Sequence, residues 1–241
     1  MNSLSFLEWE PVYERILADL GFDRAGDEAA RNIAAEIAQP FDHQTLAQLS
    51  DATVVVVGAA PSLSSELDSF DPTAVDAIVV ASTAADVLME AGIDVDLMVT
   101  DLDKNIETAC ALTQQETPVA AHAHGDNIPV LREWLPQFEP DYTLVTTQAA
   151  PRGPVVNYGG FTDGDRAAFI ADAFGAANLR FLGWDFDDTS VGPMKARKLR
   201  WAEQLLYWLE RRRGERFEIL AGRRESLADD LTTVSTRDIG R

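Results

Sequence analysis

A chain of 241 residues, 46% of them hydrophobic, holds enough apolar material for one large core and leaves room for only a small accessory segment beside it. Its 40 acidic against 20 basic residues give a formal net charge of −20, a field that repels nucleic acid and anionic lipid and excludes both as expected partners. The single cysteine, Cys110, rules out an internal disulfide and a cysteine zinc cage. Apolar runs such as Val54 to Val57 fall far short of the roughly 20 residues of a membrane span. Met1 to Glu10 carries no basic start followed by an apolar stretch, so a cytoplasmic protein is expected. Only three lysines occur, Lys104, Lys195 and Lys198, and an acidic surface poor in lysine suits a salt-rich cytosol.

Between Glu8 and Ala38 apolar residues recur at helical spacing: Val12, Ile16 and Leu20, then Ala29, Ile33 and Ile37, with Gly21 between the groups. Two amphipathic helices are predicted, too short to fold alone and so packed on the main domain. After Asp51 the pattern becomes short β-branched runs separated by helical stretches: Thr53 to Val57, Ala77 to Ala81, Asp96 to Thr100, Pro118 to His122, Thr143 to Thr147 and Leu179 to Gly183. Most are apolar throughout, as strands buried on both faces are, and each gap admits a helical crossover. The expected fold is therefore α/β: a doubly wound, mostly parallel, six-stranded Rossmann-like sheet with an N-terminal helical segment. The expected helices lie near Thr83 to Ala91, Asn105 to Gln114, Ile128 to Phe138, Gly164 to Phe174 and Pro193 to Arg213. The predicted organisation is a helical segment over 1–50, a catalytic domain over 51–222 and a tail over 223–241.

Ligands of such sheets sit where strands end and helices begin, so the strand exits carry the functional signal. The first exit, Gly58-Ala59-Ala60-Pro61-Ser62-Leu63, is a small-residue turn where backbone amides can approach a phosphate and Ser62 can cap a helix, although many such glycines serve geometry alone. The third exit, Thr100-Asp101-Leu102-Asp103, places two carboxylates at i and i+2, able to point the same way. The fourth, His122-Ala123-His124-Gly125-Asp126-Asn127, adds a third acid. Two unit charges about 4 Å apart repel by roughly 4 kcal/mol at an effective dielectric near 20, so clustered carboxylates call for a cation. Oxygen ligands favour Mg²⁺ held by Asp101, Asp103 and Asp126; a zinc site at His122, His124 and Asp126 is the lesser alternative.

Farther along, Asn157-Tyr158-Gly159-Gly160-Phe161-Thr162-Asp163-Gly164-Asp165-Arg166 leads into a helix. Asn157, Gly160, Thr162, Asp163 and Arg166 are candidate ligand contacts, although Thr162 followed by Asp165 also reads as a capping pair. The last strand ends in Gly183-Trp184-Asp185-Phe186, and the next helix opens with Lys195 and Lys198 on one face, where cations oppose the helix dipole and favour a bound anion. The stretch from Gly192 to Arg224 gathers ten Lys/Arg against four Glu, divided in its reading between a solvated helix face and an anionic ligand.

In order, Gly58-Ala-Ala-Pro-Ser-Leu63, Thr100-Asp-Leu-Asp103, His122-Ala-His-Gly-Asp-Asn127, Gly159-Gly-Phe-Thr-Asp-Gly-Asp-Arg166 and Gly183-Trp-Asp-Phe186 resemble the archaeal 6-hydroxymethyl-7,8-dihydropterin pyrophosphokinases, from about Asp51 to Leu209. That fold is similar to the catalytic domain of thiamin pyrophosphokinases. The resemblance implies ATP and a reduced pterin alcohol as substrates, with the pterin diphosphate and AMP as products on the route to a folate-like or methanopterin-like coenzyme. It implies Mg²⁺ on Asp101, Asp103 and Asp126, with Lys195, Lys198 or Arg166 stabilising the departing AMP. Gly58, Ser62, His124, Asn127, Gly160, Thr162, Asp163 and Arg166 would then line the nucleotide, with Asn157 and Asp185 on the pterin. Two other outcomes share these motifs, a metal-dependent glycosyl- or nucleotidyltransferase and a non-catalytic nucleotide-binding module, and self-association into a homo-oligomer is compatible with the sequence.

Overall fold

Strands β1 (Thr53–Val57), β2 (Ala77–Ala81), β3 (Leu97–Thr100), β4 (Val119–Ala123), β5 (Thr143–Thr147) and β6 (Asn178–Leu182) form one sheet in a computed structural model that describes residues 4–227 and 231. Every pairing is parallel, and the order is β5-β4-β3-β2-β1-β6. The chain steps outward from β1 to β5 and then crosses back to lay β6 on the free side of β1. Helices α3 (Leu63–Leu67), α4 (Ala84–Glu90), α5 (Ile106–Gln114) and α6 (Ile128–Trp134) join the first five strands, while α7 (Asp163–Ala173) makes the return crossover and α8 (Pro193–Arg213) follows β6.

The alternation of side chains along each strand divides the core in two. Val54 and Val56 of β1 face a layer with Phe169 and Ile170 of α7 and Leu205 and Leu209 of α8. Val55 and Val57 face the layer containing Leu63, Leu88, Cys110 and Leu131 from α3 to α6. Both sides of β2, β3, β4 and β5 are buried, which is why those runs are apolar or small apart from His122 in β4; β6, at an edge, exposes Asn178 and Arg180.

The N-terminal helices take opposite faces of this sheet. Helix α1 (Phe6–Leu20) opens on a Ser5/Glu8 capping box and closes on Gly21 at φ 76°, and its Trp9, Val12, Tyr13 and Ile16 are wholly buried in the layer with α7 and α8. Helix α2 (Arg24–Ile37) crosses to the other layer through Ala30 and Ala34. Its inner stripe is Asp27, Ala30 and Ala34, not the predicted Ala29, Ile33 and Ile37, and Ala29 is exposed. The helix is rotated because its first turn buries a carboxylate, a choice that apolar periodicity does not reveal. Thus α1, α2 and the Gly21–Asp23 bend between them straddle one end of the sheet.

The basic stretch after Gly192 is mostly neutralised inside this fold. Arg213 pairs with Asp172 at a short distance and Glu215 at 2.7 Å, Arg223 with Asp187 at 2.6 Å, Arg224 with Glu210 at 2.6 Å and Arg212 with Glu8 at 2.8 Å. These four arginines thus pair within the fold, as neither a solvated helix face nor an anionic ligand would have them, whereas Lys198 lines a cleft and Lys195 is exposed. The tail expected over 223–241 is described only as far as residue 227 and at Leu231; its remaining positions lie outside the described residues. No helix among the described residues is long and apolar enough to cross a membrane.

Candidate active site

The carboxyl ends of β3, β4 and β5, the bend before α2 and the starts of α7 and α8 enclose an open cleft of about 160 Å³. Asp101, His124, Asp126, Arg166 and Lys198 line it. So do Phe22, Asp23, Asp27, His122, Gln148 and Phe161.

Asp101 follows β3 directly, and the backbone then turns through Leu102 at φ 64°, a left-handed conformation for a residue that is only 2% exposed. Such a conformation is costly outside glycine and persists where the surroundings impose it. It also breaks the extended i, i+2 alternation on which the pairing of Asp101 with Asp103 was expected to rest. Asp101 faces the cleft, whereas Asp103 is exposed at its margin, its N–H donating to Asp101 Oδ1 at 3.2 Å. The two carboxyls nevertheless share one field. Burial raises the Asp101 carboxyl, but the Asp103 hydrogen bond, His124 and Arg166 outweigh it and hold the group below its ordinary value. Burial and Asp101 push Asp103 up to about 6.

The third acid in that field is Asp163, not Asp126. Burial, then the charge of Asp101, raise Asp163 to about 7 against the opposing pull of Arg166, whose Nη1 donates to Asp163 Oδ1 at 2.9 Å. Asp126 stands in the turn over Gly125–Asn127, exposed on the cleft wall, and its charge acts on His124. Among the described residues no three histidine, cysteine or acidic side chains gather as a metal cage, so neither the Asp101, Asp103, Asp126 trio nor the His122, His124, Asp126 zinc alternative is assembled. The donor set still suits Mg²⁺, which keeps several waters and takes one or two carboxylates with the rest from substrate phosphate. Asp101 and Asp103 supply hard oxygen donors whose mutual repulsion a cation would relieve.

His124 Nε2 lies 3.7 Å from Asp101 Oδ2, and burial outweighs that carboxylate to lower the imidazole below its ordinary value. Asn127 holds the exit loop together: Nδ2 donates to the carbonyls of Asp101 and His122, each at 2.7 Å, and Oδ1 accepts from His124 N–H at 3.1 Å. Its polar side-chain atoms join the β3 and β4 loops. Lys198 lines the cleft beside Phe22, while Lys195 is exposed and near enough to Asp103 and Asp163 to lower both.

Gly58, Ser62, Asn157, Gly160, Thr162 and Asp185 stand outside the cleft lining, and most of them have structural partners of their own. A Cβ on Gly58 would stand 2.6 Å from Gly183 O, so that glycine permits two strand exits to touch. Ser62 Oγ is buried without a hydrogen-bond partner, and Ser62 lies away from the cleft lining. Gly160, at φ 83°, would put a Cβ 2.3 Å from Arg166 Cα, so it admits the first turn of α7. Thr162 caps that helix, exchanging bonds with Asp165. Asn157 donates to the carbonyls of Gln148 at 3.0 Å and Ala149 at 2.8 Å and accepts from Gly159 N–H at 2.7 Å, and it too lies outside the lining. Asp185 is exposed and accepts from Asp187 N–H at 2.9 Å, closing a turn outside the cleft.

The N-terminal segment supplies the residues missed from sequence. Asp27, 4% exposed, accepts from Gly125 N–H at 2.9 Å, Tyr13 OH at 2.6 Å and Gln148 Nε2 at 2.6 Å, tying α1, α2, the β4 exit and the β5 exit into one buried network. An aspartate on a helix stripe otherwise made of alanine was the available signal.

A model of the family described as 6-hydroxymethylpterin diphosphokinase MptE-like matches residues 27–191. The 6-hydroxymethyl-7,8-dihydropterin pyrophosphokinase of Methanothermobacter thermautotrophicus is 38% identical over 232 residues, covering 87% of this chain and 97% of the relative. Its namesake from Pyrococcus furiosus is 35% identical, covering 84% and 93%, and that of Methanocaldococcus jannaschii is 29% identical, covering 84% and 95%. With a match this long, reaching from the α2 carboxylate past the last strand exit, the chain belongs to the MptE-like 6-hydroxymethylpterin diphosphokinase family.

Proposed function

We propose that the protein transfers the terminal diphosphate of ATP to the hydroxymethyl group of 6-hydroxymethyl-7,8-dihydropterin, releasing AMP. The observation that carries this reading is the cleft itself, lined by an ionised Asp101 with Arg166 and Lys198 and bordered by the electrostatically linked Asp103, Asp163 and Lys195, in a chain whose relatives bear that name. In the reaction the acceptor oxygen bonds to the β-phosphorus and the bond from the β-phosphorus to the α-phosphate oxygen breaks. The hydroxyl proton leaves to a base. Mg²⁺, when bound, neutralises phosphate charge and aligns the phosphates.

The chain's own groups do the rest. Asp101 and Asp103 would hold the cation, and Asn127 fixes the loop that carries Asp101. Arg166 and Lys195 offset the charge gathering on departing AMP. His124, neutral and backed by Asp101, accepts the proton of the acceptor hydroxyl. The acidic, lysine-poor surface suits work in a salt-rich cytosol.

Incubation with ATP, Mg²⁺ and the dihydropterin in high salt, followed by product mass, tests the reading. Pterin diphosphate with pterin-dependent AMP is expected; ATP bound without turnover, or UDP or CMP released from a sugar nucleotide, contradicts it.

A further inference from the structure

Asp101 and Arg166, the charged groups of the proposed transfer, line one part of the cleft. The other end is built differently. Phe22 and Phe161 both line it as a near-parallel ring pair, centroids 6.2 Å apart at 23°, with Lys198 Nζ 5.4 Å from the centre of the Phe22 ring. They make an apolar wall at the mouth, with a cation on its edge. Below the wall lies a polar floor of His122, Gln148 and Asp27, none more than 6% exposed.

His122 is the telling residue of that floor. Its Nδ1 pairs with Thr146 Oγ1 at 2.9 Å, while Nε2 is buried beside the Gln148 side chain without a well-formed hydrogen bond. Burial, Arg166 and His124 keep its imidazole neutral. A buried nitrogen without a well-formed hydrogen bond is costly to fold around, and here the residue carrying it lines a cleft from which a ligand could satisfy it. Arg166 Nε, at the boundary between the two ends, is likewise buried and unpaired.

We infer that this end of the cleft is the ring pocket for the acceptor, in which Phe22 and Phe161 stack against a flat, nitrogen-rich, uncharged bicycle and His122 Nε2 hydrogen-bonds its polar edge. The assignment rests on the diphosphokinase reading for the identity of the ligand. A purine has similar chemistry, but reach separates the two. The rings of His122 and His124 are 6.1 Å apart, and His124 Nε2 is 3.7 Å from Asp101, so the pocket adjoins the reacting end. A hydroxymethyl group one carbon from its ring bridges that gap, whereas a ribose and an α-phosphate would hold adenine farther off. The size agrees too: a cavity of about 150 Å³ accepts one benzene ring, so a cleft of about 160 Å³ seats the wall-facing ring while the substituent extends toward Asp101.

Equilibrium binding of 6-hydroxymethyl-7,8-dihydropterin and, separately, of ATP with Mg²⁺ to the full chain in high salt tests this for the unmodified protein, F22A, F22Y and H122F. Loss of one stacking face or one edge contact should weaken the pterin by about tenfold or more in F22A and H122F, while F22Y retains it and ATP affinity stays within roughly twofold throughout. If H122F fails to fold, F22A against F22Y decides. Unchanged pterin affinity in F22A, or a loss confined to ATP, overturns the assignment. An unmodified chain that binds the pterin through Phe22 yet makes no pterin diphosphate would defeat the proposed reaction and uphold the pocket; one that binds no pterin would overturn the pocket.

Discussion

Asp101 lines the cleft directly after β3, where the Asp103 hydrogen bond, His124 and Arg166 hold its carboxyl below the ordinary value, and the next residue, Leu102, is left-handed. D101N keeps the size of the side chain and its acceptor oxygen for Asp103 N–H while removing the charge. Turnover should fall by at least about a hundredfold with the thermal midpoint little changed; activity near that of the unmodified protein would remove the cation from the account. A second consequence concerns protons. With Asp103 at about 6 and Asp163 at about 7, the folded chain binds more protons than the unfolded one between the ordinary carboxylate range and pH 7, so these groups oppose folding as pH rises through that window. A cation at Asp101 and Asp103 should expel the shared proton. Calorimetric titration of Mg²⁺ at pH 5.5, below the value of about 6 at Asp103, in buffers of differing ionisation enthalpy should therefore report proton release, and a buffer-independent heat would contradict it. At this scale the sequence exposed Asp101, His124, Arg166 and the lysine pair through their places after strands and at helix starts. It did not show that Asn157, Thr162 and Asp185 also satisfy turns and backbone groups, because a polar residue in a loop reads alike until its hydrogen-bond partners are known.

Strands and crossover helices were the most legible elements, because each buried strand is a short apolar or small-residue run bounded by turn residues, and all six lie within a residue or so of their predicted ends. The helix over Ile128 to Phe138 proved shorter, ending at Trp134 before a 3₁₀ turn at Leu135–Gln137, where Pro136 cannot donate to the helix ladder. Less legible was the reach of the first two helices. Periodicity placed them against the domain but not over the strand exits, and only the buried Asp27 with its three donors reveals that they form a wall of the site. The glycines before α7 belong to packing between elements. G160A would force a Cβ into Arg166 and strain a φ of 83°, so it should lower stability by about 2 kcal/mol or more, measured by denaturant unfolding. Unchanged stability with weakened ATP binding would return Gly160 to the ligand.

A net charge of −20 acts on the whole molecule through self-repulsion, which dissolved salt screens within about 3 Å at molar ionic strength and about 30 Å at 10 mM. The thermal midpoint should therefore climb steadily as KCl is raised from millimolar to molar, and a midpoint indifferent to salt would contradict the reading of this surface. The same charge makes the site's cations scarce and their placement informative: of three lysines, Lys198 lines the cleft and Lys104 and Lys195 both act on Asp103, while Arg213 and Arg224 are held in ion pairs. The central claim is that this cleft moves two phosphates together from ATP onto an alcohol. ATP labelled at the γ-phosphorus tests it most directly: label should appear in the pterin product in step with an equal amount of AMP. Label in inorganic phosphate or in a monophosphorylated product, with ADP in place of AMP, would contradict it.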